Sequence, residues 1–261
     1  MNSSLWTART GLEAQQLKLS VISNNISNVN TQAFKKSRVA FQDLLYQNIR
    51  QPGAQTTETT KNGAGLMLGT GVAAVSNPKD FSQGNLIKTE GDVDIAIQGR
   101  GFVPIQQADG TLAYTRDGSF TFNENGDIVT HQGQIVGNAA ITVPQGSNGI
   151  SIAENGNVYS VDGENVVTQI GQIQLFDFIN PAGLQPVGQN LYTATASSGE
   201  PQEGVAGQDG FGKVLQGFLE SSNVSVVEEM VNMIETQRAY ELSSKAVSAS
   251  DQMLKFLTQT L

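Results

Sequence analysis

The strongest constraint on this chain's fold lies at its two ends. In the first 33 residues apolar side chains fall at Leu5, Ala8, Leu12, Leu19, Ile22, Ile26 and Val29, and with Gln15 included the steps alternate between three and four. That alternation keeps one side of an α-helix apolar, and over about four heptads it forms a coiled-coil seam. Gln15 is its one polar member, and a lone polar seam residue fixes register at some cost in stability. At the other end Ser225 and Glu228 form an S-x-x-E capping box, in which each side chain bonds an otherwise orphan backbone donor. Val227, Met230, Val231, Ile234, Leu242, Ala246, Ala249, Met253, Phe256 and Leu257 follow at helical spacing, with neither Gly nor Pro after Gly217. The face carrying Gln237, Ser244, Gln252, Lys255 and Gln259 is polar.

Between the ends the pattern changes to short alternating runs, such as Ile95 with Ile97, Phe120 with Phe122 and Ile150 with Ile152. Asp109-Gly110, Asp117-Gly118, Asn125-Gly126, Asn155-Gly156 and Asp162-Gly163 punctuate them. Such dipeptides supply the positive φ that tight hairpins demand. The run 173–178 changes phase at Leu175-Phe176, which implies either a β-bulge or a strand buried on both faces. The fold class expected is a mainly β, antiparallel, hairpin-rich central body with long N- and C-terminal α-helices forming a coiled-coil-like domain. The boundaries expected are 1–33 and 224–261 for the helical assembly domain, 34–71 for an extended segment, and 72–223 for the β-rich outer domain.

Charge and composition narrow the function. The chain carries −9 in total; residues 1–50 hold six basic against two acidic side chains (+4), leaving nine against 22 (−13) for the rest. An acidic body of that kind is unsuited to nucleic acid, whose binding needs concentrated positive charge. There is no cysteine and one histidine, His131, which removes thiolate chemistry and His-cluster metal sites. Gly69-Thr70-Gly71-Val72-Ala73-Ala74 matches G-x-G-x-x-A, but lacks the strand–turn–helix context of a dinucleotide site. Asp92 and Asp94 are read as a solvated strand edge, and His131 as a surface loop residue. No cofactor, metal or catalytic site is expected. The start, MNSSLWTARTGLEAQQ, has no continuous apolar core, so neither a cleaved signal peptide nor membrane insertion is expected.

Two stretches remain. Residues 50–71, RQPGAQTTETTKNGAGLMLGTG, have few apolar anchors before Leu66. A loop of this length without structure is uncommon inside a compact domain, so its order is expected to come from outside the subunit. Residues 24–35, NNISNVNTQAFK, place four asparagines at the end of a helical stripe. Asn24, Asn25 and Asn28 cluster at three- and four-residue spacing, where amides that donate and accept can cap their own helix and bond a neighbour's backbone. The alternative is a frayed terminus followed by a turn at Asn30-Thr31.

That same stretch, through Thr31, Phe34 and Lys35, resembles the asparagine-rich N-terminal signature of bacterial flagellar rod and hook proteins. The family ordinarily has Gly before the Phe, and here Ala33 stands there. Ser222-Asn223-Val224, Glu229-Met230-Val231, Gln237-Arg238-Ala239-Tyr240-Glu241, Ser82-Gln83-Gly84-Asn85-Leu86, Tyr114-Thr115-Arg116-Asp117-Gly118 and Gly188-Gln189-Asn190-Leu191-Tyr192 are similar to family segments along the whole chain. Residues 46–63, including Tyr46, Arg50, Pro52 and Gly53, look like a stretch of the distal-rod branch, which hook members lack. The resemblance implies a helical homopolymer that transmits torque in the periplasm and is exported by the flagellar type III route. It implies terminal helices stacked as an inner tube through Leu5, Leu12, Leu19, Ile22, Ile26, Val29, Val227, Val231, Ile234, Leu242, Met253 and Phe256. The polar face 237–259 would line the channel and segment 46–63 would stiffen the tube. Implied partners are further copies of the chain, proximal rod proteins, hook protein, P- and L-ring proteins and the export apparatus. A proximal rod or hook subunit is the nearest alternative, and a secreted β-rich binding domain a more distant one.

Overall fold

The computed structural model describes residues 3–51, 64–138, 140–144, 147–162 and 166–259. Its contacts divide the chain into two units, one of residues 1–26, 37–78 and 225–261, the other of 27–36 and 79–224. Pro52 and Gly53 lie outside the described residues, as do residues 54–63 and Gly163.

The first unit holds α1, Ser3–Ser27, and α2, Val226–Gln259. At 1.5 Å per residue the 34 residues of α2 span ~51 Å. Ser225 caps it, its Oγ accepting the Glu228 N–H at 3.5 Å. α1 stops six residues short of the expected Ala33. Asn28 C=O accepts the Thr31 N–H at 3.2 Å, and Ala33 has φ 55°, a left-handed conformation that no right-handed helix passes through. The two helices run antiparallel. A Cβ on Gly11 would sit 4.0 Å from Ser243 Oγ, and Asn25 Nδ2 bonds Glu229 Oε2 at 3.2 Å; both contacts advance 14 residues, in opposite directions. Two antiparallel ladders complete this unit, Ala40–Asp43 with Val72–Ser76 and Gln47–Arg50 with Leu66–Leu68. A strand therefore follows the Gly69–Gly71 turn where a dinucleotide site would have a helix. Gly71, at φ 122°, approaches Thr10 so closely that a Cβ would overlap its Oγ1.

The second unit is built on a seven-stranded antiparallel sheet, in the order 185–188, 191–193, 112–115, 103–106, 135–136, 128–130, 120–122. Alternation along its strands puts Val103, Ile105, Ala113 and Leu191 into one apolar core. Tyr114 and Tyr192 point the other way, into an aromatic cluster with Phe81, Phe102, Phe176 and Phe178, where rings meet edge to face at 4.9–6.3 Å. A sheet buried on both faces needs near-continuous apolar runs. The run 173–178 is the second of its two expected forms: Leu175 and Phe176 are both buried, and their ladder to Gln202–Gly204 carries no register shift.

Asp109-Gly110, Asn125-Gly126 and Asn155-Gly156 turn hairpins at positive φ. Asp117-Gly118 does not. The strands on either side of it are not paired with each other, and Gly118 is needed for a different reason: its carbonyl accepts the Ile95 N–H at 3.1 Å, and a Cβ there would strike the Ile95 carbonyl.

Candidate assembly site

The seam expected on α1 is only partly enclosed. Ile22 is buried, while Leu5, Leu12, Leu19, Ile26 and Val29 are half-buried. The most enclosed line on α1 runs through Ala14, Ile22 and Asn25.

On α2 the apolar seam faces away from the enclosed side altogether. Val227 is 74% exposed, Val231 50%, Ile234 54%, Leu242 67%, Met253 62% and Phe256 67%. The enclosed side carries Glu229 and Thr236, both buried, and Ala239, Ser243 and Val247, half-buried. At ~100° per residue the two stripes lie on roughly opposite sides of the helix. Among the described side chains, mostly small and polar residues thus face inward, with Met233 and Val247 half-buried beside them, while most of the large apolar ones face outward, unlike the usual surface helix. Gln237, Ser244, Gln252 and Lys255 are exposed on a stripe beside the outward apolar one. Lys255 pairs with Asp251 at 2.9 Å. The side chain of Gln259 is outside the described residues.

The asparagine-rich stretch divides its labour. Asn25 is 1% exposed and acts as a clamp. Its Nδ2 donates to Ser37 O at 2.9 Å while its Oδ1 accepts Ser37 N–H at 3.0 Å, and Nδ2 also reaches Glu229. The amide thereby satisfies both backbone groups of one residue, as a strand partner would. Asn24 is exposed and Asn28 half-exposed. Thr31 Oγ1 donates to Asn28 Oδ1 at 3.2 Å, which ties the turn. Phe34 is buried under the Lys79 ammonium, 4.8 Å from the ring centroid.

Lys35 is not a surface residue. It belongs to a buried charge cluster in the second unit. Its Nζ donates to Glu220 Oε1 at 2.6 Å and to Ser82 O at 2.8 Å. Gly84 N–H donates to the same Oε1 at 2.8 Å, and Arg116 Nε to Oε2 at 3.1 Å. Arg116 Nη2 continues to Gly99 O at 2.6 Å. Burial, opposed by Glu220 and reinforced by Arg116, holds the Lys35 ammonium below its usual pKa. Beside the cluster, burial pushes the Tyr192 phenol up to about 12, with Arg116 working against it and Glu220 with it. Glu220, Ser37 and Glu229 give no local sign in sequence of these roles. Their partners stand up to 204 residues away, and only a charged residue ending an apolar strand, Phe218-Leu219-Glu220, hints at one.

Tyr46 and Arg50 flank and form the exposed strand Gln47–Arg50. With Leu45, Ile49, Leu66 and Met67 also exposed, this two-stranded ladder lacks the apolar cover that such a hairpin needs for stability in water. No helix among the described residues is long and apolar enough to cross a membrane.

Three family models match: "Flagella basal body rod protein" at residues 5–35, "Flagellar hook protein FlgE/F/G D1 domain" at 96–160, and "Flagellar basal body rod FlgEFG protein C-terminal" at 215–260. The flagellar basal-body rod protein FlgG of Buchnera aphidicola subsp. Schizaphis graminum is 48% identical, over 99% of this chain and 100% of that one. FlgG of Borreliella burgdorferi is 45% identical over 97% of each, whereas FlgF of Caulobacter vibrioides is 32% identical over 100% of this chain and 98% of that one. The chain therefore belongs to the flagellar basal-body rod protein family, whose members are structural subunits and not enzymes.

Proposed function

We propose that this chain is the distal-rod subunit, a self-assembling building block of the tubular shaft that carries torque from motor to hook and encloses the export channel. One observation carries the reading: Val227, Met230, Val231, Ile234, Leu242, Met253 and Phe256 of α2 are all exposed, outside its enclosed face. Contiguous exposed apolar surface marks an interaction site, and a stripe on a helix that already has an inward partner calls for a second one. Further copies of the chain are that partner. A contact between unlike surfaces of identical subunits that does not close gives an open helical filament.

The finer features follow from the family resemblance. The paired helices form the inner tube in a coiled-coil-like layer, joined by Leu5, Leu12, Leu19, Ile22, Ile26 and Val29. The stripe of Gln237, Ser244, Gln252, Lys255 and Gln259 lines the channel. The β unit forms the outer wall. Segment 46–63 crosses neighbouring subunits and stiffens the tube, which the uncovered ladder at Gln47–Arg50 supports. The chain sits in the periplasmic rod, and its partners are proximal rod proteins, hook protein, P- and L-ring proteins and the type III export apparatus. The higher identity to FlgG than to FlgF relatives favours the distal over the proximal rod.

Electron microscopy of the purified chain at rising concentration tests the reading. Straight tubes are expected, and bent or flexible tubes after deletion of residues 46–63. A chain that stays monomeric at every concentration overturns self-assembly, and straight tubes from the deletion variant overturn the stiffening role.

A further inference from the structure

We propose that the Lys35–Glu220–Arg116 cluster is a folding-order gate: the turn at 27–36 docks on the β unit only once the late strand Phe218–Glu220 has delivered its carboxylate. The cluster holds two cations against one carboxylate, with Lys35 and Glu220 fully buried and Arg116 5% exposed. Both cations precede the carboxylate in sequence. A chain made or delivered N-terminus first therefore presents Lys35, Arg116 and the carbonyls of Ser82 and Gly99 with no anion between them. Closing the site in that state would desolvate two like charges, and buried charges persist only when paired.

Asp80 is no substitute. It lies near Lys35 but is 47% exposed and faces Lys36 at 4.0 Å. Glu220 also supplies the backbone closure, its carbonyl accepting the Ala33 N–H at 2.8 Å. The same residue thus compensates the charges and latches the turn. Two neighbouring bonds depend on the latch, Lys36 N–H to Asn223 Oδ1 at 2.8 Å and Asn223 N–H to Phe34 O at 3.4 Å. The turn that follows α1 consequently stays open until nearly the whole chain is present.

Amide hydrogen exchange on the full chain tests this. In Glu220→Gln the amides of Ala33, Lys36 and Gly84 exchange faster by on the order of 100-fold, while Ile105 and Ala113 in the sheet change by less than ~10-fold. Lys35→Met leaves the turn amides within ~10-fold of wild type, because Glu220 keeps Arg116 and the Gly84 N–H. Lys35→Met/Glu220→Gln restores the net charge of the site and recovers at least ~10-fold of the lost protection. Equal opening in Lys35→Met and Glu220→Gln, or no recovery in the double variant, overturns the gate. Should Glu220→Gln unfold the whole chain, the double variant still decides, through recovery or its absence at both sheet and turn amides. In refolding followed by pulse labelling, sheet amides are protected before those of Ala33 and Lys36, and the opposite order refutes the proposal.

Discussion

Leu242→Ala separates the stability of the subunit from that of the polymer. Leu242 sits on the outward stripe of α2, 67% exposed. Truncation to Ala removes three carbons, each worth ~0.8 kcal/mol when buried. Scaled by the 67% still available for burial, that is ~1.6 kcal/mol lost per assembled subunit, or roughly a 15-fold rise in critical concentration. The monomer loses almost nothing, since exposed substitutions stay within ~0.5 kcal/mol. Pelleting of polymer across a concentration series gives the first number, and thermal unfolding below the critical concentration gives the second. Thr236 is the control. It is 1% exposed on the enclosed face of the same helix, so Thr236→Lys destabilises the monomer before any question of assembly arises. If Leu242→Ala leaves the critical concentration within twofold of wild type, or lowers monomer stability by the full ~1.6 kcal/mol, the outward stripe is not what copies share.

Three further outcomes follow from buried contacts. Asn25→Asp removes both Nδ2 bonds and sets a second carboxylate beside Glu229, costing ~3 kcal/mol or more at neutral pH. Melting curves at pH 7 that match those of the parent chain would contradict the geometry. At Ala33 the φ of 55° stores ~1–2 kcal/mol of strain. Ala33→Gly relieves it while giving up a buried methyl worth ~0.8 kcal/mol and adding ~0.5–1 kcal/mol of unfolded-state entropy. The net change in a urea titration is thus under ~1 kcal/mol, and a loss above ~2 kcal/mol means the residue is not left-handed. Tyr192, pushed up to about 12 by burial, keeps its proton where the unfolded chain has released it. Its contribution is complete below pH ~10 and is lost between there and about 12, up to ~3 kcal/mol. Lys35, held low by burial, acts in the opposite sense up to its unfolded value, but it is common to both chains and drops out of the comparison. Tyr192→Phe removes the Tyr192 loss, and urea midpoints that fall equally in both chains from pH 8 to 11 would refute it.

How much of this was legible in sequence depended on the range of the interaction. Spacing of three and four marked both helices, because one helical turn is a local property. It could not say which side of α2 is enclosed. Periodicity detects apolar side chains, and the enclosed stripe of Glu229, Thr236, Ala239 and Ser243 has few, so the eye is drawn to Leu242 and Phe256 instead. Asp117-Gly118 read as a hairpin because a dipeptide reveals that positive φ is allowed, not that glycine is there for close approach to Ile95. The charge cluster was invisible: Lys35 and Glu220 stand 185 residues apart, and one sequence carries no signal at that distance. Within the clamp, Asn25 was legible as an amide with bonds to make, but its partner Ser37 was not. The inverted polarity of α2 is what joins these observations. An isolated chain gains no hydrophobic burial from Leu242, Met253 and Phe256 while they stay exposed. The Asn25–Glu229 bond, with Asn25 itself clamped to Ser37, holds Glu229 on the enclosed side of α2. If that bond helps to orient α2, weakening it impairs assembly even where every stripe residue is intact. Asn25→Ala should raise the critical concentration more than its loss of monomer stability accounts for. A rise that merely matches that loss would reduce the clamp to a stabilising contact.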